Sequence, residues 1–561
     1  MQDEKIFELF QKRKKYAEDF YRAFRKEEEV LTNYYHLKDP QHAMWKFTSL
    51  LADYADSIRS RWNNGIFAGD DFFGLGPVES NDEQSAPVME TIIKYQSSKE
   101  IALPQTLKRM LRPLSYLGNK FGKTSWDMEK QCPKVTPIEN RYCLVEPTET
   151  IATCNWLLAG EEMRFSLLKD YEAEGLLQDV DNIKINGQTK SSGRTGAGND
   201  ADPLHKARSA DSAKPPEDEK DPEYLIWQMW EDDHCYIIEP DSKEIISIDP
   251  HENPYKDRPK HKKPYFQLCS DPEDNINLGL SPVRKLISKN EELNEVRHLR
   301  RRFSDLYIRG IWLGKRDANI DWGKLKKEAI LLADEIGEDI IKRIALGENI
   351  LPSIDNEEAS ILRYCDRHTN IYDPQRGGGQ GRNITETASG LNLIIQEGNL
   401  VFNEQIGNIQ LGGIVPLVEQ LVLLNQENLT LQKAAMITGK SLVGKMFNRL
   451  KKLITGKTDF DGNFDVRVIS SQAFGTKEAS QKILSGLTVK YAQDPTVNIR
   501  KLKEREFKAY DLDPDDVMYP EEETEIRVEN QQLQIQVAQL NQALQQAQQP
   551  ATPEVEEEQV V

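Results

Sequence analysis

The stretch Asp373–Leu424, DPQRGGGQGRNITETASGLNLIIQEGNLVFNEQIGNIQLGGIVPLVEQLVLL, constrains this chain more than any other. It begins with a glycine-rich loop, Gln375-Arg376-Gly377-Gly378-Gly379-Gln380-Gly381-Arg382, that carries two arginines. The loop runs into the longest helix-compatible segment of the sequence. Asn383 or Thr385 supplies a short side-chain oxygen to cap that helix, satisfying an orphan amide of its first turn. Leu391, Ile394, Ile395, Val401, Phe402, Ile406 and Ile409 then recur near the 3.6-residue period. A flexible basic loop on the end of a long helix is an arm that reaches toward a polyanion. The rest of the chain must supply the body on which that helix packs.

With 561 residues the chain is long enough for about two to four structural units. Charged residues make up 29% and the net charge is −19, so the balance is acidic. Proteins that grip nucleic acid tightly usually carry a basic excess. Any DNA contact is therefore expected to be local and transient. Six cysteines are scattered without CxxC spacing and eight histidines are scattered too. Buried thiols in a reducing compartment are expected, with no zinc site, no other metal and no cofactor. The first twenty residues carry charges every few positions, unlike a signal peptide. No run of about 18 apolar residues exists, and the nearest candidate, Leu411–Leu424, is interrupted by Pro416 and Glu419, so no membrane span is expected.

Residues 1–65 read as amphipathic helix, with Phe7, Leu9, Phe10, Tyr16, Phe20 and Phe24 on the apolar face. Residues 87–121 read as helical as well. Residues 140–157, rich in β-branched side chains and broken by Pro147, predict short strands, with a helix following near 160–177. Residues 186–222 hold one leucine as their only large apolar residue. They cannot bury enough surface to offset their ordering entropy, so a disordered surface insertion is expected. Tyr224–Leu268 predicts four strands, YLIWQMW, HCYIIE, EIISI and KKPYFQL, as an antiparallel meander.

Gly279-Leu280-Ser281-Pro282 is expected to open a helix, Ser281 as N-cap and Pro282 at the first helical position. The last turns of that helix carry Arg297, Arg300, Arg301 and Arg302. Cations there suit the negative helix end. Four of them exceed what a cap needs, which keeps a facing anionic partner open as a second reading. Residues 308–353 read as a compact unit: a strand IRGIWLG, a helix from Trp322 to about Leu346 broken at Gly337, and a strand NILPS. Glu357–Asn370 is expected to be helical. Phe447–Asp459 reads as a basic segment and Asn463–Ile469 as a hairpin turned at Asp461-Gly462. From Lys477 the chain reads as helix again. Near the C-terminus, Ile526, Leu533 and Leu540 with Asn530, Val537 and Leu544 form a short heptad seam. Its Gln-rich surface keeps low complexity open as the competing reading.

Catalytic signatures fail on chemistry. Gly122-Lys123-Thr124 and Gly439-Lys440-Ser441 lack the upstream glycine of a phosphate loop, with Leu117 and Ala434 in its place. GGGQG follows a helix rather than a strand and is no dinucleotide fingerprint. Asp459, Asp461, Asn463 and Asp465 alternate like calcium ligands, but Phe464 stands where a calcium loop needs glycine. No GxSxG or HExxH occurs. An enzyme is not expected.

In combination, these segments resemble the portal proteins, or head-to-tail connectors, of tailed double-stranded DNA bacteriophages. The resemblance is carried by Pro264-Tyr265-Phe266 leading into Gly279-Leu280-Ser281-Pro282 and a long helix, then a small α/β insert and a second helix. A Gly-rich loop, Ile384-Thr385-Glu386-Thr387-Ala388 opening a long helix, and Asp465-Val466-Arg467-Val468-Ile469-Ser470-Ser471 complete it, over roughly residues 90–545. The resemblance implies a mostly helical α+β portal fold assembled as a ring around a central channel, usually of twelve subunits, at one capsid vertex. Residues 1–279 would form the wing, with the insertion at 186–222. Residues 280–306 and 354–372 would form the two stem helices, and 307–353 the clip. Residues 373–383 would be a tunnel loop facing DNA, placing Gln375, Arg376, Gly377, Gly378, Gly379, Gln380, Gly381 and Arg382 toward the channel. Residues 384–475 would return as long helix and wing, 476–548 as a helical crown, and 549–561 as an acidic disordered tail. Arg297, Arg300, Arg301, Arg302, Arg309, Lys315 and Arg316 would form a basic stem and clip facing DNA or a partner.

The same resemblance implies the partners: double-stranded DNA in the channel and terminase during packaging. Neck, adaptor or tail proteins would dock at the clip, and major capsid protein and scaffold at the wing. The protein would belong to the virion, and to host cytoplasm during assembly, with no membrane. The motor ATPase would be a separate protein. The alternative is a cytoplasmic scaffold or adaptor that oligomerises through the C-terminal coiled coil.

Overall fold

The computed structural model describes residues 2–36, 48–67, 72–83, 85–173, 175–186, 223–241, 243–246, 253–258, 260–273, 276–309, 311–315, 329–333, 341–344, 350–369, 371, 400–441, 462–468, 477–491, 499–509 and 537. The chain is α+β and mostly helical. It divides into two compact units, residues 1–441 with 452–471, and residues 442–451 with 472–561. The glycine loop 373–383, the insertion 186–222 beyond Asn186, Phe447–Asp459 and the acidic tail lie outside the described residues, as does the heptad seam apart from Val537.

The first unit starts with α1 (Gln2–Tyr35) and α2 (Leu50–Ile66), within the segment read as amphipathic helix. Ser49 caps α2, its Oγ accepting the Ala52 N–H at 3.1 Å. Next come β1 (Phe73–Pro77), α3 (Ser85–Tyr95), a π-helical turn (Gln96–Glu100) and α4 (Leu103–Leu117). Gly118, in the left-handed region at φ 81°, ends α4 and turns the chain into β2 (Asn119–Asp127). Residues 119–121, read as the end of a helix, are therefore strand. β3 (Cys132–Ile138), β4 (Cys143–Val145) and β5 (Trp156–Arg164) follow, then α5 (Phe165–Ala173) and α6 (Val180–Asn186). The helix expected from 160 begins only at Phe165. Leu157, Leu158 and Ala159 are buried, and β5 keeps its ladder with the next strand through Arg164.

β6 (Glu223–Glu231), β7 (Cys235–Glu239) and β8 (Glu244–Ile245) complete a five-stranded antiparallel sheet in the order β4-β5-β6-β7-β8. Each strand presents alternate residues to one face, and α1 covers that face. Phe7, Phe10, Ala17 and Tyr21 of α1 pack on Leu144, Leu158, Trp227, Met229 and Ile238. The fourth expected meander strand, β9 (Tyr265–Cys269), belongs elsewhere. It pairs with β2 in a separate sheet ordered β3-β2-β9. Gly122 of β2 lies opposite Phe266, and a Cβ there would meet the Phe266 ring at 2.3 Å. The glycine admits the ring and selects this pairing.

A short hairpin, β10 (Pro272–Glu273) and β11 (Ile276–Gly279), leads to α7 (Ile287–Arg309). Ser281 lies before a 3₁₀ turn, Arg284–Leu286, so the regular helix starts later than its sequence suggests. Its Oγ accepts the Val283 N–H at 3.2 Å and donates to the Tyr116 carbonyl at 2.7 Å, fixing the entry to α7 against the end of α4. β12 (Ile311–Lys315), β13 (Ala329–Ala333) and β14 (Ile341–Ile344) form a small sheet around β12, with β13 parallel and β14 antiparallel. The expected helix Trp322–Leu346 is thus wrong across both later strands. A short apolar run such as AILLA fits a buried strand or a buried helix equally by periodicity. The segment NILPS, read as a strand, opens α8 (Ile350–Thr369) at Ile350.

α9 (Leu400–Asn428) is long and apolar enough to cross a membrane by length and composition, and 56% of its 18-residue apolar segment is buried inside the fold. Phe402, Ile406, Ile409, Leu417, Leu421 and Leu424 face the core. A π-helical turn, Gln410–Ile414, brings Gly413 onto β9, where a Cβ would lie 2.7 Å from the Gln267 carbonyl oxygen. Arg258 clamps Glu427 through two hydrogen bonds of 2.8 and 2.6 Å, and His261 meets Glu419 at 2.7 Å. α10 (Leu431–Ser441) follows. β15 (Phe464–Val468) pairs antiparallel with β1, joining distant parts of the chain where a local hairpin was expected. In the second unit, α11 (Lys477–Lys490) and α12 (Ile499–Ala509) pack on each other.

Candidate functional site

Two basic features stand out among the described residues. The first is the helix pair α7–α8. Leu293 and Val296 of α7 and Ile361 and Cys365 of α8 are buried, and the two helices run antiparallel. Arg297 donates from Nε and Nη2 to Glu358 at 3.0 and 2.7 Å. Arg300 lies 3.1 Å from Asp355 and 3.5 Å from Glu358. Arg297 and Arg300 are therefore held by carboxylates of the partner helix. Arg301 and Arg302 occupy exposed positions on the same helix. Arg309 closes α7 and Lys315 closes β12. Arg316 and the whole loop from Gln375 through Arg382 lie outside the described residues.

The second feature, which the sequence reading did not find, is a groove of about 1370 Å³ between α1, α2 and α4. Its origin is local amphipathicity. In α4, Leu107, Met110, Leu111 and Leu114 recur at the helical period and are buried, which turns Lys108, Arg109 and Arg112 outward. α1 buries Tyr21 and Leu31 and turns Arg22 and Lys26 into the same space. Arg59, Lys120 and Arg141 complete the basic wall, and basic groups outnumber the acidic Glu18, Glu28, Glu29 and Glu139. Tyr35 stacks on Tyr116 at 4.3 Å, tying α1 to α4 beside the groove.

The floor is a half-buried polar cluster. Asn140 Nδ2 donates to the Glu28 carboxylate at 3.0 Å and to the Asn119 carbonyl at 2.9 Å. Arg25 Nη1 donates to the Arg141 carbonyl at 3.1 Å. Burial pushes the Glu28 carboxyl up and the Arg25 and Lys120 cations down, so each of these charges is held in a low dielectric. Four buried side-chain atoms of groove residues have no hydrogen-bond partner: Arg25 Nε, Asn63 Oδ1, Asn140 Oδ1 and Arg141 Nη2. At the rim, Arg22 pairs with Asp19, Arg59 with Asp56 at 3.1 Å and Arg141 with Glu139 at 2.9 Å. Lys108 lies 5.2 Å from the Phe67 ring centroid.

This arrangement presents cationic and hydrogen-bond-donating side chains to the groove. The described residues contain no group of three or more His, Cys, Asp and Glu able to hold a metal ion. The cysteines are free, and burial pushes Cys154 and Cys235 up to about 12, which keeps both as thiols. Gly122-Lys123-Thr124 lies within β2, with Lys123 donating to Gln228 at 3.1 Å and Thr124 to Gln420 at 2.7 Å. Gly439-Lys440-Ser441 ends α10. Neither triplet forms a loop around a phosphate. The sequence signal for the groove was present in Lys108-Arg109 and Arg112 set between apolar residues. The meeting of three helices around it is a tertiary fact that no local pattern carries. No protein-family model matches the chain, and no curated protein matches it.

Proposed function

We propose that this chain is the portal subunit of a tailed double-stranded DNA bacteriophage. It forms a ring of about a dozen copies at one capsid vertex, through which DNA is packaged by a separate terminase motor, retained and ejected. The observation that carries the reading is the antiparallel pair α7–α8 bracketing the small sheet β12–β14. Two antiparallel helices joined through a segment that carries a small three-stranded sheet are the arrangement a connector stem needs. The helices line a wall, and the insert offers terminase and neck proteins a docking end. The carboxylates Asp355 and Glu358 hold Arg297 and Arg300, which lowers the positive charge those two arginines offer to passing DNA. Repeated loops bearing Arg376 and Arg382 would then touch the DNA backbone lightly and in a salt-dependent way.

A cyclic ring closes through contacts between different faces of each subunit. The mass of the purified chain in solution tests the reading. A closed ring of about a dozen copies supports it, and a dimer to tetramer supports an adaptor assembled through the heptad seam instead. Arg376→Ala combined with Arg382→Ala is expected to leave assembly intact while lowering DNA packaging or retention. Loss of the ring in that variant would make those arginines structural.

A further inference from the structure

We propose that the groove between α1, α2 and α4 docks an acidic segment of a partner polypeptide, and this holds whether or not the chain forms a ring. At about 1370 Å³ the groove is larger than the roughly 300–1,000 Å³ typical of small-molecule sites, so its size suits a length of chain. Its charge opposes that of the whole protein. A molecule with net charge −19 gathers Lys26, Lys108, Arg109 and Arg112 on exposed positions of two facing helices. Such a local field attracts an anion that the remaining surface repels.

The wall decides which anion. A phosphodiester backbone supplies acceptors alone. A peptide supplies carboxylates and carbonyls for the arginines and lysines, and N–H groups as well. The wall also interrupts its cations with Glu18, Glu29 and Glu139. Evenly spaced phosphates would meet those glutamates, whereas a polypeptide can set its carboxylates against the cations and its amides against the glutamates. Planar guanidinium groups suit paired carboxylate contacts as well.

The test is fluorescence anisotropy on the full chain at about 50 mM salt, where surface charge is least screened. Two labelled probes of equal charge are compared, an oligoglutamate peptide and an oligothymidylate. The peptide is expected to bind, more tightly than the oligonucleotide. Arg109→Glu with Arg112→Glu is expected to weaken it about tenfold or more. Arg467→Glu, at an exposed cation of β15, should leave it unchanged. Should the double variant fail to fold, Lys26→Glu, on an exposed position of α1, reads the same groove. A peptide that does not bind, or that binds both groove variants as well as the parent, overturns the proposal; so does oligothymidylate that binds more tightly than the peptide and is weakened by Arg109→Glu with Arg112→Glu, which would make the groove a nucleic-acid site.

Discussion

Gln96 and Asn425 form a reciprocal amide pair that locks the π-helical turn after α3 to α9, and both residues are fully buried. Gln96 Nε2 donates to Asn425 Oδ1 at 2.8 Å, and Asn425 Nδ2 donates back to Gln96 Oε1 at 2.9 Å and to the Leu421 carbonyl at 2.8 Å. Asn425→Leu strands both ends of the Gln96 amide. A buried polar group left without its partner costs about 1–3 kcal/mol, so the expected loss is about 2–5 kcal/mol. Gln96→Met strands Asn425 Oδ1 while Nδ2 keeps Leu421, for an expected loss of about 1–3 kcal/mol. Replacing both partners by apolar groups of similar shape leaves nothing stranded. The double variant is therefore expected to lose less than the two single losses added together, by about 1–3 kcal/mol. Urea unfolding of the parent, both single variants and the double variant measures the cycle. Losses that add within about 0.5 kcal/mol would refute the coupling and the mutual satisfaction it rests on.

Gly118→Ala should be among the most damaging small substitutions in the chain. Its left-handed φ of 81° disfavours a side chain by about 1–2 kcal/mol. A Cβ would also meet the Leu280 carbonyl oxygen at 2.2 Å and the Ser281 nitrogen at 2.6 Å, backbone that cannot rotate away. A loss above about 3 kcal/mol in urea unfolding is expected, and a loss near 1 kcal/mol would mean that the entry to α7 yields. Asp232→Asn tests an ion pair through pH. Burial pulls the Asp232 carboxyl upward, but hydrogen bonds from Lys263 and Lys262 outweigh it and hold the group below the usual carboxylate range. Its folded pKa is depressed, so its stabilisation is complete above the unfolded value of about 4 and fades as pH falls through the folded value. The gap between parent and variant unfolding midpoints should be full near neutral pH and close below about pH 4. A gap that stays constant into acid would contradict this assignment.

The parts of the fold legible in the sequence were those set by local periodicity. Phe7 and Phe10 announced α1, the helical reading of residues 87–121 reached α3 and α4, and YLIWQMW announced β6. The misread parts depend on distant partners. Asn463–Ile469 looked like half of a hairpin because Asp461-Gly462 is a good turn, yet β15 finds β1. KKPYFQL looked like a fourth meander strand, yet Gly122 makes room for Phe266 in another sheet. Ala329–Ala333 and Ile341–Ile344 are too short for their period to separate strand from helix. The arginines of α7 were legible as a cluster, but the carboxylates that hold Arg297 and Arg300 lie on the returning helix, beyond the reach of spacing rules. The basic groove escaped because its cations come from α1, α2, α4 and the turn at Arg141, each unremarkable by itself.

The central claim is that this chain closes into a ring around a channel. Electron microscopy of the purified full-length protein addresses it in one image. End-on views are expected to show a closed ring of about a dozen subunits with a central hole wide enough for duplex DNA. Particles that stay monomeric, or that form small oligomers without a hole, would contradict the claim.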